Sequence, residues 1–112
     1  MPSDLLKAQW RFTKAVALLL QYASYRGYEV TLSEAYRPKE TAELYAEQGR
    51  GISDSAHCLR LAIDLNLFRD GLYLTQTEDY AELGDFWKIL GGVWGGNFKT
   101  RNDGNHFQMV LY

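Results

Sequence analysis

Three stretches of this sequence alternate apolar and polar side chains with a period of two, which restricts the chain to folds built on a sheet. In Glu29–Arg37, Val30, Leu32 and Tyr36 share one side while Glu29, Thr31, Ser33 and Arg37 share the other. In Leu61–Leu67, Leu61, Ile63, Leu65 and Leu67 oppose Ala62, Asp64 and Asn66. In His106–Tyr112, Phe107, Met109 and Leu111 oppose His106, Gln108 and Val110. The parity has a consequence: Arg37, Asp64 and His106 all fall on the polar side of their strands, so one open sheet face can gather them.

Between the strands the period becomes helical. Ser3 is placed to cap a helix whose apolar residues Leu5, Phe12, Val16, Leu19, Leu20 and Ala23 recur at helical spacing, with Gly27 as its stop. Pro38 suits the first turn of a second helix that continues through Tyr45 until Gly49-Arg50-Gly51 breaks it. Gln48–Ser55 reads as a flexible loop delivering His57. Asp70-Gly71 before Leu72-Tyr73-Leu74 is a hairpin signal, Asp79–Leu90 a third helix, and Gly91–Phe98 mostly irregular. The order predicts an α+β domain: an antiparallel sheet with helices packed on one face.

At 112 residues the chain fills a single domain, spanning residues 1–112, so any active site is built inside one core. A formal charge of -2 without a basic run gives no footprint for nucleic acid or for an anionic membrane. The longest apolar run, Ala15–Leu20, is far short of the roughly 20 residues of a membrane span. Lys7–Leu20 mimics the start of a signal peptide, but Gln21–Tyr25 is a poor cleavage site. The expectation is a monomer made in the cytoplasm without a signal peptide. Lone Cys58 has no internal disulfide partner and reads as a small buried hydrophobe rather than a metal thiolate.

The chain has only two histidines, and each lies in a polar motif: Ser55-Ala56-His57 leading to Asp64, and Asp103-Gly104-Asn105-His106-Phe107-Gln108. A catalytic zinc takes three protein ligands and leaves a fourth position to water; His57, Asp64 and His106 meet that count. Asp103, on a turn three residues before His106, is the candidate proton acceptor. Arg37, a permanent cation, suits a developing oxyanion or a substrate carboxylate. Ser55 and Gln108 are candidates for binding substrate or for orienting a ligand. The competing readings are ordinary ones: Asp103 as a turn former, Ser55 as a local cap, and Arg37 as the surface partner of Glu34 or Glu40. Trp87, Trp94, Phe98 and Tyr45 read more readily as core than as a substrate platform.

The run Ser55-x-His57 through Ala62-x-Asp64, with Asp103-x-x-His106-Phe107-Gln108 after it, resembles the zinc D-Ala-D-Ala carboxypeptidases. That VanY-like family includes phage L-alanyl-D-glutamate endopeptidases and shares its fold with the Hedgehog signalling domain. Glu34-Ala35-Tyr36-Arg37-Pro38 is similar to the family's Tyr-Arg element, and Trp94-Gly95-Gly96-Asn97-Phe98 to its Gly-Gly-aromatic stretch. The resemblance spans about residues 30 to 110. It implies a Hedgehog/DD-peptidase-like fold and zinc held by His57, Asp64 and His106. It further implies Asp103 as general base, Arg37 as the catalytic arginine, and hydrolysis of an amide in the peptide stem of bacterial peptidoglycan. Two positions depart from the pattern: Arg60 stands where the family has glycine, and Gln108 where many members have glutamate. Within the family, small size and compact loops point to a phage or prophage endolysin-type L-alanyl-D-glutamate endopeptidase acting on the wall after release. The rivals are a D-Ala-D-Ala carboxypeptidase and a non-catalytic zinc-containing module that binds the wall. The pocket around Tyr36, Trp94 and Phe98 is expected to decide which bond is cut, with Tyr36 counted among the substrate-binding candidates.

Overall fold

The computed structural model describes residues 1–51 and 55–111. Helix α1 spans Asp4–Tyr25. It opens where Ser3 Oγ accepts the Leu6 N–H at 3.0 Å. It closes in a Schellman motif: Tyr28 N–H reaches Ala23 O, Gly27 N–H reaches Ser24 O, and Gly27 takes φ +88°. The remaining elements are β1 (Glu29–Leu32), α2 (Lys39–Glu47), β2 (Ala62–Arg69), β3 (Leu72–Tyr73), α3 (Ala81–Ile89), β4 (Val93–Trp94) and β5 (His106–Gln108). Short 3-10 turns lie at Ala56–Leu59, Thr77–Tyr80 and Gly95–Asn97.

All strand pairs are antiparallel, in the order β1-β2-β5-β4, with β3 folding back on the end of β2. Asp70 (φ 54°) and Gly71 (φ 79°) make the β2–β3 hairpin turn that the Asp-Gly pair predicts. The odd-numbered residues Leu61, Ile63, Leu65 and Leu67 enter the core with Phe107, against Phe12 and Leu19 of α1 and Leu83 and Trp87 of α3. Trp87 is fully buried and meets Phe12 and Phe107 edge-on. Its indole N–H donates to Gln108 O at 2.8 Å, so a large apolar ring is buried without stranding its one donor. Helix α2 stands apart from this core, its one buried residue being Ala42. No helix among the described residues is long and apolar enough to cross a membrane.

Several boundaries differ from the sequence expectation, each for a local reason. The ladder of β1 stops at Leu32 rather than reaching Arg37. There Ser33 N–H bonds Asp64 O while Asp64 N–H bonds Glu34 O, so two residues oppose one in the manner of a β-bulge. Pro38 is the cap of α2 rather than its first turn. The third helix is preceded by the Thr77–Tyr80 turn and starts at Ala81. The last strand ends at Gln108, four residues early, although Met109 N–H still bonds Leu61 O. The stretch expected to be irregular contains β4 and a 3-10 turn. Of the expected Gln48–Ser55 loop, positions 52 to 54 lie outside the described residues, as does Tyr112 at the end of the last expected strand.

Candidate metal centre

The site begins with strand register. Asp64 of β2 pairs directly with His106 of β5, and residues opposed in an antiparallel pair project from the same face about 5 Å apart. His57 arrives on the 3-10 turn Ala56–Leu59, held by Ser55, whose Oγ accepts the His57 N–H at 3.2 Å. Ser55 therefore performs the capping role, and it also lines the cleft beside the imidazoles. Arg60 closes the turn with φ 58° and ψ 38°, the left-handed conformation that a glycine adopts without cost. Its guanidinium stacks on the Tyr36 ring at 3.9 Å, a cation–π contact that offsets part of that strain.

His57, Asp64 and His106 each offer a ligand atom, and these atoms lie within 4.8 Å of one another; theirs is the metal-capable group found among the described residues. His57 Nδ1 donates to the Ala35 carbonyl at 2.8 Å, which turns Nε2 toward Asp64 Oδ1 at 3.2 Å. His106 Nε2 donates to Gln108 Oε1 at 2.7 Å, which turns Nδ1 toward the same Asp64 oxygen at 3.0 Å. Each ring has thus committed one N–H outward and presents its other nitrogen to a shared carboxylate oxygen. A cation has to mediate such a contact, either a proton or a metal ion. The donor set, two imidazoles and one carboxylate oriented by outer hydrogen bonds, fits zinc.

The electrostatics agree. Burial opposes ionisation of Asp64, yet hydrogen bonds from His106 and His57 more than offset it and hold the carboxyl at about 2. Burial likewise disfavours the His106 cation, but the hydrogen bonds to Asp64 and Gln108 raise its pKa above the ordinary value. Asp103 adds to that rise through its charge, and its half-buried side chain lines the cleft. Its turn is pinned at both ends: Asp103 N–H donates to Gly95 O at 3.0 Å, and His106 N–H donates to Asp103 O at 3.0 Å. A Cβ on Gly95 would lie 2.2 Å from that Asp103 oxygen, so only glycine permits the approach.

The cleft encloses about 690 Å³ and brings together Arg37, Ser55, His57, Asp64, Asp103, His106 and Gln108. Tyr36 does not join them; its ring, 46% exposed, lies under Arg60 instead. Arg37 is at the cleft but paired: Nε bonds Glu34 Oε1 at 2.9 Å and Nη2 contacts the same oxygen, which raises the guanidinium pKa further. Sequence reasoning missed Ala35, because a backbone carbonyl carries no signature in residue type. It also passed over Arg50 and Arg101, which line the same cleft; Arg50 belongs to a glycine-rich break that reads by itself only as a helix stop.

No curated protein matches the sequence significantly. Among solved structures, the chain is similar to the Serratia marcescens L-Ala D-Glu endopeptidase ChiX, with a TM-score of 0.73 at 23% identity, covering 89% of this chain and 78% of that one. It is also similar to the vancomycin resistance D,D-pentapeptidase VanY solved in complex with Zn(II), at a TM-score of 0.62 and 22% identity over 89% and 71% of the two chains. VanYB in complex with D-Alanine-D-Alanine gives a TM-score of 0.62 at 20% identity over 89% and 70%. These likenesses establish the shared fold. The peptidase M15 family model described as D-alanyl-D-alanine carboxypeptidase matches residues 48–109, more than half of the chain and the part that carries both histidine motifs. The chain belongs to this D-alanyl-D-alanine carboxypeptidase family of M15 peptidases.

Proposed function

We propose that this protein is a zinc-dependent peptidase that hydrolyses an amide bond in the peptide stem of bacterial peptidoglycan, as an L-alanyl-D-glutamate endopeptidase. The observation that carries the reading is the convergence of His57 Nε2 and His106 Nδ1 on one oxygen of Asp64, with each ring's other nitrogen already engaged. His57, Asp64 and His106 hold the metal. When bound, zinc supplies a Lewis acid for the scissile carbonyl and makes water acidic enough to attack near neutral pH.

The chain's own residues do the rest. Asp103 takes the proton of the attacking water and returns it to the leaving amine. Gln108 fixes the His106 tautomer by accepting from Nε2, and the Ala35 carbonyl does the same for His57. Ser55 holds the His57 turn. Arg37 lines the cleft while paired with Glu34, and its guanidinium is the cation offered to the developing oxyanion.

The endopeptidase assignment is supported by the higher TM-score to the L-Ala D-Glu endopeptidase, 0.73 against 0.62. A second reading, D-Ala-D-Ala carboxypeptidase, is favoured by the description of the matching family. Action on the wall after release, in the manner of a phage or prophage lytic enzyme, completes the proposal. Mass spectrometry of fragments from defined muropeptides tests it. The zinc-loaded protein is expected to release an L-alanine-terminated fragment, and Asp103→Asn to retain zinc but lose activity. Release of terminal D-alanine instead selects the second reading, and intact muropeptides with zinc bound overturn both.

A further inference from the structure

Among the described residues, the cleft lining holds three arginines, Arg37, Arg50 and Arg101, against two carboxylates, Asp64 and Asp103. Arg37 is met by Glu34, and Asp64 and Asp103 are assigned to metal and proton. Arg50 and Arg101 line the same cleft, and among the described residues neither has an acidic partner. Among the described residues the Arg50 guanidinium meets uncharged groups: Nη1 bonds Gln48 Oε1 at 2.8 Å, and the fork lies over the Tyr45 ring at 4.4 Å. Its backbone is fixed as well, Arg50 N–H bonding Tyr45 O at 2.7 Å. Arg101 Nη2 reaches the Arg50 carbonyl at 3.4 Å, which ties the two residues together. Arg37 lies over the same Tyr45 ring at 5.2 Å, so cations crowd around one aromatic anchor.

Like charges gathered beside a low-dielectric cleft repel one another, and the arrangement is relieved by an anion. Each guanidinium has five N–H donors in a planar fork matched to a carboxylate, and among the described residues Arg50 and Arg101 each commit one nitrogen to a hydrogen bond. We propose that Arg50 and Arg101 form the carboxylate-recognition pair of this cleft, selecting substrates whose scissile amide has a free carboxylate close by. Arg37 is left to the oxyanion. The inference rests on the peptidoglycan reading above. Both bonds considered there have, on the residue that provides the leaving amine, a free α-carboxylate: γ-linked D-Glu in one case and terminal D-Ala in the other.

The test uses two synthetic stem peptides that differ only in whether the D-Glu α-group is carboxylate or carboxamide. Zinc-loaded wild type is expected to prefer the carboxylate by on the order of 10- to 100-fold in kcat/KM, carried by KM, as charge-assisted hydrogen bonds give. In Arg50→Gln/Arg101→Gln the ratio falls toward one. A merely structural role lowers both peptides together and leaves the ratio standing, which overturns the proposal, as does a wild type without preference. Calorimetric binding of both peptides to zinc-loaded Asp103→Asn reads the same ratio without turnover. A ratio intact in binding but no cleavage by wild type removes the hydrolase and keeps the arginine pair. Cleavage without preference removes the pair and keeps the hydrolase, and no binding of either peptide removes the pair as well.

Discussion

Asp64 stands between two imidazoles, but the residue that sets the character of the site from outside is Gln108. By accepting from His106 Nε2 at 2.7 Å it decides which ring nitrogen faces inward. Gln108→Ala is expected to weaken zinc binding roughly 10- to 100-fold in chelator competition, the usual cost of losing such an outer partner. Gln108→Glu, with a stronger acceptor, is expected to bind at least as tightly as wild type. The convergence of His57, Asp64 and His106 was legible in the sequence as a metal-capable group, because two-imidazole, one-carboxylate chemistry leaves a residue-type trace. Arg60 was legible as an anomaly, a side chain where the family has glycine, and the structure gives the cause in its left-handed backbone. Tyr36 was not legible: its partner Arg60 lies far along the chain, and nothing in its own neighbourhood says that it faces away from the cleft.

At the level of elements, the period-two reading of β2 and β5 placed Asp64 and His106 correctly, since register then made them direct neighbours. Arg37 reached the cleft by another route. The double pairing of Ser33 and Glu34 to Asp64 interrupts the alternation, so its position is owed to the bulge and to Arg37 N–H bonding His57 O at 3.2 Å. Bulges and short strands such as Val93–Trp94 escape a pattern search because they are made by partners distant in sequence rather than by local composition. The Gly95–Asp103 contact is the sharpest instance. Gly95→Ala puts a methyl 2.2 Å from the Asp103 carbonyl and 2.9 Å from His106 Cβ, so the turn must move. Turnover is expected to fall roughly 100-fold, on the scale of a displacement of about 1 Å, with zinc stoichiometry unchanged by elemental analysis.

Across the whole molecule, the site links folding to pH and to metal. Asp64 titrates at about 2 in the folded protein against 3.8 for the free side chain. Its contribution is therefore complete above pH 3.8 and disappears as pH falls through 2, on the order of 2 kcal/mol shared with its imidazole partners. His106 is shifted the other way, so its contribution is complete below pH 6.5 and is lost as pH rises through its raised value. Urea titrations of the metal-free protein are expected to show greatest stability between these limits. Zinc should remove the alkaline decline, because the ion replaces the proton that joins His106 to Asp64. One arrangement reaches further. The Trp94 indole donates to Gly104 O at 2.7 Å while the neighbouring Gly95 carbonyl takes the Asp103 N–H, so the segment carrying Asp103, the proposed proton acceptor, hangs from a tryptophan of the hydrophobic interior. Chemistry and cohesion in this small enzyme consequently stand or fall as one cooperative unit, and damage deep in its oily centre would silence it without touching a single ligand.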